Sequence, residues 1–404
     1  MTRTDRTTGT GTTPGRDVLI SGGGIAGPAL AFWLNRYGYA VTVVERAGSL
    51  RGGGYPVDVR GTALDVVERM GILPRLRDAH IDLRRLTFLD ADGSEVTTLH
   101  PHGVTGGTGR DLEIRRGDLT DALYTAVRDD VEFLFDDCVA TLDQYEHGVD
   151  VTFRSGRTRT FDMVVGADGT HSRTREMLFG PEEQFNHHLG HCFALFTMRN
   201  TFGLLDEAVM WNSPGRAAAL YAVGGDDAVH AFLTFARPEP PLDVLGEPEA
   251  QRDLLHQVFA DAGWKVPDIL AALGDADDVF FDTVGQIRVP RWSSGRVALL
   301  GDAAYAPSFL TGQGTSLALV GAYMLAGSLA GRDHTEGFAV YEHTTRAFVT
   351  ANQNLVGQGG DSLFPTTAQT LEQRNDRLRG LSAMPAPAPR PAHSALALPD
   401  FGTH

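Results

Sequence analysis

Apolar and polar positions along this chain fall into blocks whose period changes. Val18, Leu19 and Ile20 run into a glycine cluster, "GPALAFWLNRYG" follows with a helical pattern, and a second apolar run, "AVTVV", ends in Glu45. Near-continuous apolar runs flanking a helical period predict a βαβ unit over 17–45, its parallel strands buried on both faces. "GTALDVVERMGILPRLRDA" reads as helix, residues 86–99 as a β region with the hairpin signal "DADGS", and "RRGDLTDALYTAVRD" as an amphipathic helix. "VEFLF", "VDVTF" and "FDMVVGADG" predict strands, the last returning to the first sheet. From about 187 to 240 the segments "CFALFTMRN", "EAVMWNS", "AAALYAV" and "VHAFLTFA" alternate and are rich in aromatics, which predicts an antiparallel sheet with one buried face. A helix near 247–262 and a strand near 279–289 precede the apolar strand of "RVALLGDAA". "GTSLALVGAYMLAGSLAG" and the segment from 336 onward read as helices.

These blocks predict two interlocked units. Residues 16–85, 110–180 and 285–335 form a discontinuous nucleotide-binding domain, and 86–109 with 181–284 form an inserted β-sheet domain for substrate. Residues 1–15 read as a flexible leader, 336–380 as a C-terminal helical segment, and 381–404 as an irregular Pro/Ala-rich tail. The length of 404 residues fits this organisation.

Composition removes several classes of function. A formal net charge of −16 counts against nucleic-acid and anionic-membrane partners, which need a cationic face. Cys138 and Cys192 have neither a metal-ligand nor a CxxC spacing, as in reduced cytosolic proteins. The N-terminus lacks the apolar core of a signal peptide, and no apolar run is long enough to span a bilayer, so a cytoplasmic protein is expected. His187, His188 and His191 show no ligand pattern, and no HExxH or Ser/His/Asp order is present, so no metal and no separate catalytic apparatus are expected.

Gly22, Gly24 and Gly27 fit GxGxxG between a strand and a helix, with Ile25 and Ala26 inside the turn. The first glycine permits the tight turn, the second lets backbone approach a pyrophosphate, and the third lets helix pack on strand. The helix N-terminus offers NH groups to phosphate. Glu45, with Arg46 beside it, ends the second strand where an acid can accept hydrogen bonds from ribose hydroxyls. This pattern predicts dinucleotide binding without separating FAD from NAD.

Two later motifs separate them. "MVVGADGTHSRTRE" carries Gly166, Asp168, Gly169, Ser172 and Arg175, and "VALLGDAAYAPSFLTGQGTSLALVGAYMLAGSL" carries Gly301, Asp302, Pro307, Gly312, Gly314 and Thr315. With GxGxxG, a DG motif and a downstream GD motif in this order, the chain resembles the class A flavoprotein monooxygenases of the para-hydroxybenzoate hydroxylase fold over roughly 16–380. "EIRRGDL" and the form of the GD segment look most like the tetracycline-modifying and natural-product-tailoring branches. The resemblance implies an α/β fold: an FAD-binding Rossmann-like (GR2-type) sheet, an inserted mostly antiparallel β substrate domain and C-terminal helices. It implies that Asp302 meets the flavin ribityl hydroxyls, or caps the following turn. Gly312 and Gly314 would let backbone approach the isoalloxazine, with the next helix pointing its positive end at the ring. Asp168 resembles the DG aspartate linked to flavin and NAD(P)H, or serves as a turn aspartate. Arg116, with Arg115 as its competitor, matches the flavin-approaching arginine, and Gly53 and Gly54 match the loop beside the ring.

What the resemblance implies chemically is a tightly but non-covalently bound FAD, transient NAD(P)H, and O2 giving a C4a-hydroperoxyflavin that oxygenates a small molecule. No second glycine-rich unit for NAD(P)H is visible, in keeping with a surface groove. The substrate is expected to be apolar, aromatic or polyketide-type, and the protein a monomer or homodimer. Phe193, Leu195, Phe196, Met198, Trp211, Tyr221, Phe232 and Phe235 of the inserted sheet, with Pro307 and Phe309, are the candidates to line its pocket. The chain departs from the family pattern at Tyr305, at Ser308–Phe309 and at Ser316. Those departures keep a second reading open, a cyclase or isomerase in which FAD is structural. The isolated Trp33, Trp211, Trp264 and Trp292 lack the halogenase Trp-x-Trp-x-Ile signature.

Overall fold

The computed structural model describes residues 16–50, 54–81, 83–99, 110–223, 227–358, 363–381 and 390–402. The leader, Gly53, residues 100–109 and residues 382–389 of the tail therefore lie outside the described residues. The initial βαβ unit is β1 (Asp17–Ser21), α1 (Ala26–Arg36) and β2 (Ala40–Val44). β1 sits inside a six-stranded sheet, in spatial order β17, β18, β11, β1, β2, β7. Strands β7 (Glu132–Leu134), β11 (Met163–Gly166) and β18 (Val297–Leu299) join it in parallel, and the short β17 (Ser293–Ser294) is antiparallel.

Alternation along β1 separates two cores, because successive side chains point to opposite faces. Val18 and Ile20 enter a core with α1 and α9 (Gly314–Leu329). Leu19 enters a smaller one beneath an antiparallel meander of β8 (Val139–Tyr145), β9 (Gly148–Phe153) and β10 (Thr158–Phe161). Helix α9 is apolar all round, and every residue from Thr315 to Leu329 is buried, as such a helix requires.

The inserted sheet has seven strands in the order β16, β12, β15, β14, β13, β4, β5. They are β4 (Arg85–Leu89), β5 (Glu95–Leu99), β12 (Asn186–Arg199), β13 (Glu207–Ser213), β14 (Arg216–Ala222), β15 (Ala228–Ala236) and β16 (Phe280–Ile287). Only the β13–β4 pairing is parallel. Helices α6 (Pro248–Phe259) and α7 (Val266–Asp275) cover one face, and α11 (Ala368–Arg379) packs on part of the other.

Three local features differ from the expectation. The helix expected over 61–79 is two, α2 (Thr62–Arg69) and α3 (Leu73–Asp78), broken where Gly71 turns left-handed at φ 77°. "PVDV" and "LEIR" are strands β3 (Pro56–Val59) and β6 (Leu112–Arg115), an antiparallel ladder directly before α4 (Arg116–Thr125). Residues 390–402 are docked rather than loose: His393 is buried, Leu396, Leu398 and Phe401 pack on the large core, and Tyr323 Oη donates to Pro399 O at 2.6 Å. Helix α5 (Arg173–Phe179) follows the DG motif, and α8 (Asp302–Tyr305) and α10 (His334–Gln353) flank α9. No helix among the described residues is long and apolar enough to cross a membrane.

Candidate functional site

Two glycines of the first turn are needed for different reasons. A Cβ on Gly27 would lie 1.9 Å from Gly22 O, and one on Gly22, at φ 114°, would lie 2.4 Å from Ala167 O. Helix α1 thus packs onto the turn, and the turn onto the DG motif. Gly23 N–H donates to Glu45 Oε2 at 2.7 Å and Ala47 N–H to Oε1 at 2.9 Å, which holds the acid at the lip of the turn. Ile25 precedes α1 and packs on its core, Ala26 is buried, and Arg46 is exposed.

Arg116 opens α4 at the same place. Its Nη2 lies 3.6 Å from where a Gly24 Cβ would be, and its Cβ lies 3.8 Å from that of Gly54, which is left-handed at φ 95°. Arg115 turns away and donates to Val223 O at 2.9 Å. Gly301, at φ 65°, leads into α8 and packs against Ala26. Burial pushes the Asp302 carboxyl above the usual range while Arg116 opposes the shift, and no described residue donates a hydrogen bond to it. A desolvated acceptor without a donor, beside a phosphate-type turn, fits the polyhydroxylated chain of FAD. Thr315 is buried in the first turn of α9, and a Cβ on Gly314, which opens that helix, would lie 3.9 Å from Asp302 Oδ1.

Asp168 is satisfied locally. Ser172 Oγ and both Thr174 donors bind its carboxylate, which leaves it the turn-and-cap role, with its Cα against Gly22.

Register across the inserted sheet defines a second wall. One face carries the row Met210–Ala219–Phe232–Leu195, with Asn212–Ala217–Thr234–Phe193 on one side and Ala208–Tyr221–His230–Thr197 on the other. Phe193 meets Phe309 of the GD segment with centroids 4.8 Å apart, and Phe309 meets Phe364 at 6.3 Å. Ser308 is left-handed at φ 75°, which aims Phe309 out so that it is 47% exposed. The face that carries these rings therefore looks onto the flavin motifs.

Residues 16–354 match the family model of the FAD binding domain, most of the chain. The chain belongs to the class A FAD-dependent monooxygenases. An uncharacterised Mycobacterium tuberculosis protein, Rv1260, is 44% identical over 363 residues, covering 89% of this chain and 97% of that one. A flavin-dependent monooxygenase from an unknown prokaryotic organism is 35% identical, covering 96% and 99%. Among solved structures, tetracycline destructase Tet(55) is similar with a TM-score of 0.82 at 34% identity, covering 96% and 99%.

In this monooxygenase four expected pocket residues lie on the face opposite Phe193 and Phe232. Phe196, Met198, Trp211 and Phe235 are buried in the core between the sheet and α6/α7, and Trp211 Nε1 donates to Ala91 O at 3.2 Å. The two-residue period that puts Phe232 and Tyr221 on the flavin side puts these four on the other. Pro307 is buried, and its carbonyl accepts from Gln286 Nε2 at 2.9 Å. Two departures from the family pattern are absorbed by packing. Tyr305 Oη bonds Tyr341 Oη at 2.8 Å, and Arg60 N–H donates to Ser316 Oγ at 3.1 Å.

The monooxygenase also has an acidic pair that the motifs do not contain. Asp58 and Glu113 are direct partners across β3–β6, so their side chains share one face. Asp58 pairs with Arg60 Nη2 at 2.6 Å and lies where a Cβ on left-handed Gly312 would be 2.8 Å from Oδ2. Tyr221 Oη donates to Glu113 Oε1 at 2.8 Å. Burial and the charge of Asp58 push Glu113 up to about 7. Each strand alternates, "VDV" and "LEI", apolar on one side and acidic on the other, but the pairing that joins the two acids is not marked locally.

Proposed function

We propose that this monooxygenase takes reducing equivalents from NAD(P)H and inserts one atom of O2 into a planar, electron-rich aromatic or polyketide-type small molecule. The observation that carries this reading is the facing pair of walls: the flavin motifs on one side, and on the other an apolar row with small Ala217 and Ala219 among aromatic rings. The likeness to a protein named tetracycline destructase supports a polycyclic substrate.

When bound, FAD supplies the electron transfer and the activation of O2. The chain's own residues hold and enclose it. Glu45 would hold the adenosine ribose and the NH groups of α1 the pyrophosphate, Asp302 would accept from the ribityl hydroxyls, and Arg116 would approach from α4. The N-terminus of α9 at Gly314 would present its positive end to the ring. Leu195, Phe232 and Met210 exclude water from the ligand face, and Phe193 with Phe309 and Phe364 closes one end.

The test is an absorbance spectrum of the holoprotein during anaerobic addition of NADPH or NADH, with and without candidate polycyclic phenols. Bleaching that a substrate accelerates, followed by O2 uptake and a product heavier by one oxygen, is expected. A resident flavin that neither nicotinamide bleaches, across the panel, would replace this reading with the structural-flavin cyclase or isomerase.

A further inference from the structure

Opposite its aromatic end, the ligand face ends at Tyr221, and behind Tyr221 stands Glu113 on the flavin-domain ladder. Strand geometry puts the Asn212 row and the Tyr221 row about 13 Å apart, four residues along β13. The pair joins two units of the fold. Tyr221 comes from the inserted sheet, and Glu113 from the strand that leads directly into Arg116.

Resting on the reading of this face as the ligand cavity, we propose that Glu113, acting through the Tyr221 hydroxyl, is a positioning residue for ligand charge. It decides whether the far end of the cavity takes a neutral hydroxyl or an anionic oxygen. With Glu113 ionised, Tyr221 O–H donates to Oε1, and the phenol oxygen turned to the cavity can only accept. A ligand O–H then completes the chain. With Glu113 protonated, the carboxyl O–H donates to the Tyr221 oxygen, and the tyrosine proton is free to point at a ligand carboxylate or phenolate. One proton, taken from or returned to solvent, separates the two states.

The surroundings of Glu113 place these states close in energy. Asp58, directly opposite on β3, disfavours a second negative charge, as does burial; Arg60 and the Tyr221 hydrogen bond favour ionisation, and the balance falls near neutrality. Among the described residues, the other charged or titratable groups nearby are engaged elsewhere. His230, directly opposite Tyr221 on β15, has its Nδ1 3.3 Å from Thr197 Oγ1. His80 Nδ1 accepts from Glu113 N–H at 3.2 Å, and Arg115, two residues along β6, reaches Val223 O. Asp111 lies beyond Asp58, its Oδ1 accepting from Gly61 N–H at 3.2 Å. The side of α11 that reaches Tyr221 brings the apolar Leu378.

Two planar probes of one shape test this without turnover: 2-naphthol, neutral from about pH 5.5 to 8.5, and 2-naphthoate, ionised throughout. Their affinities for the FAD holoprotein are read from the perturbation of the flavin spectrum. Naphthol should tighten and naphthoate loosen as pH rises through about 7, each by roughly five- to tenfold, the worth of one hydrogen bond. Glu113→Gln should flatten both profiles, and Tyr221→Phe should flatten both and weaken naphthol. Asp58→Asn, which leaves the dyad in place, should move both midpoints to lower pH. Profiles that persist in Glu113→Gln, or that run the same way for both probes, overturn the inference. If both probes bind with no pH dependence, this inference fails and the cavity reading stands. A holoprotein that binds neither probe at any pH ends both.

Discussion

Replacing Asp302 with alanine should weaken FAD binding roughly 30-fold while leaving the fold intact. The size follows from the site. Asp302 sits at the start of α8, desolvated, with Arg116 as the one charge that opposes its shift and no donor among the described residues. A hydroxyl donating to a carboxylate contributes about 1.5–3 kcal/mol. Removing the carboxylate forfeits that, and relieves the free protein of a poorly solvated charge. A net loss of about 2 kcal/mol remains, which is the 30-fold. Asp302→Asn keeps an acceptor and should lose less, about 1 kcal/mol. The pH dependence has a definite sign. Burial raises this carboxyl in the free protein, and donors favour its ionised form, so FAD should bind more tightly as pH rises through the raised pKa and level off above it. Apoprotein titrated with FAD, followed by quenching of flavin fluorescence between mildly acidic and neutral pH, measures both quantities. A wild-type Kd in Asp302→Ala, or an unchanged pH profile in that variant, would refute the ribityl assignment and leave Asp302 as a turn residue.

Other outcomes are expected away from the flavin. His171 lies 3.0 Å from both Glu182 and Asp282, and their hydrogen bonds push it up to about 10. A raised histidine stabilises fully below its unfolded pKa of about 6.5, and that contribution disappears as pH rises through about 10. Because its side chain is 53% exposed, solvent screening cuts the effect to roughly 1–2 kcal/mol. His171→Gln should therefore lower Tm near pH 6 and not near pH 10, and an equal loss at both would contradict the clamp. Trp211→Ala should cost about 3–5 kcal/mol of stability in chemical denaturation without changing the KM for substrate, since the ring is core. A large KM change with little loss of stability would return Trp211 to the pocket. Gly327→Ala should dislodge the C-terminal segment, because its Cβ would lie 2.0 Å from the Phe401 ring. Protease cleavage after residue 390 at an unchanged rate would argue against that packing.

Elements whose pattern is local were legible. The first βαβ unit, the strand into Asp168 and the helix after Gly314 each carry a strong period or a continuous apolar run, and each stands where that pattern put it. The glycine turn was legible in part for the same reason: Gly27 answers to Gly22 O within one supersecondary unit, whereas Gly22 answers to Ala167 O of the distant DG motif. The β3–β6 ladder was not. Each strand has four residues, and the sense of its acids appears only when Asp58 and Glu113 are set side by side across a separation the sequence does not encode locally.

The pocket residues show the limit more sharply. Along β12 the residues Phe193, Leu195, Phe196 and Met198 look alike as apolar positions, and alternation says only that 193 and 195 share a face and 196 and 198 share the other. Which face meets the flavin domain depends on what covers each one. Here α6 and α7, with apolar stripes of their own, claim the side of Phe196 and Met198. One observation at the junction breaks the degeneracy. Phe309 comes from the GD segment, whose place is set by the parallel sheet, and it touches Phe193. That contact puts the odd-numbered side of β12 against the GD segment, and the register then carries that side to Phe232 and, one row on, to Tyr221. The acidic partner of Tyr221 follows from the same step, because the strand bearing Glu113 leads directly into Arg116 beside the glycine turn.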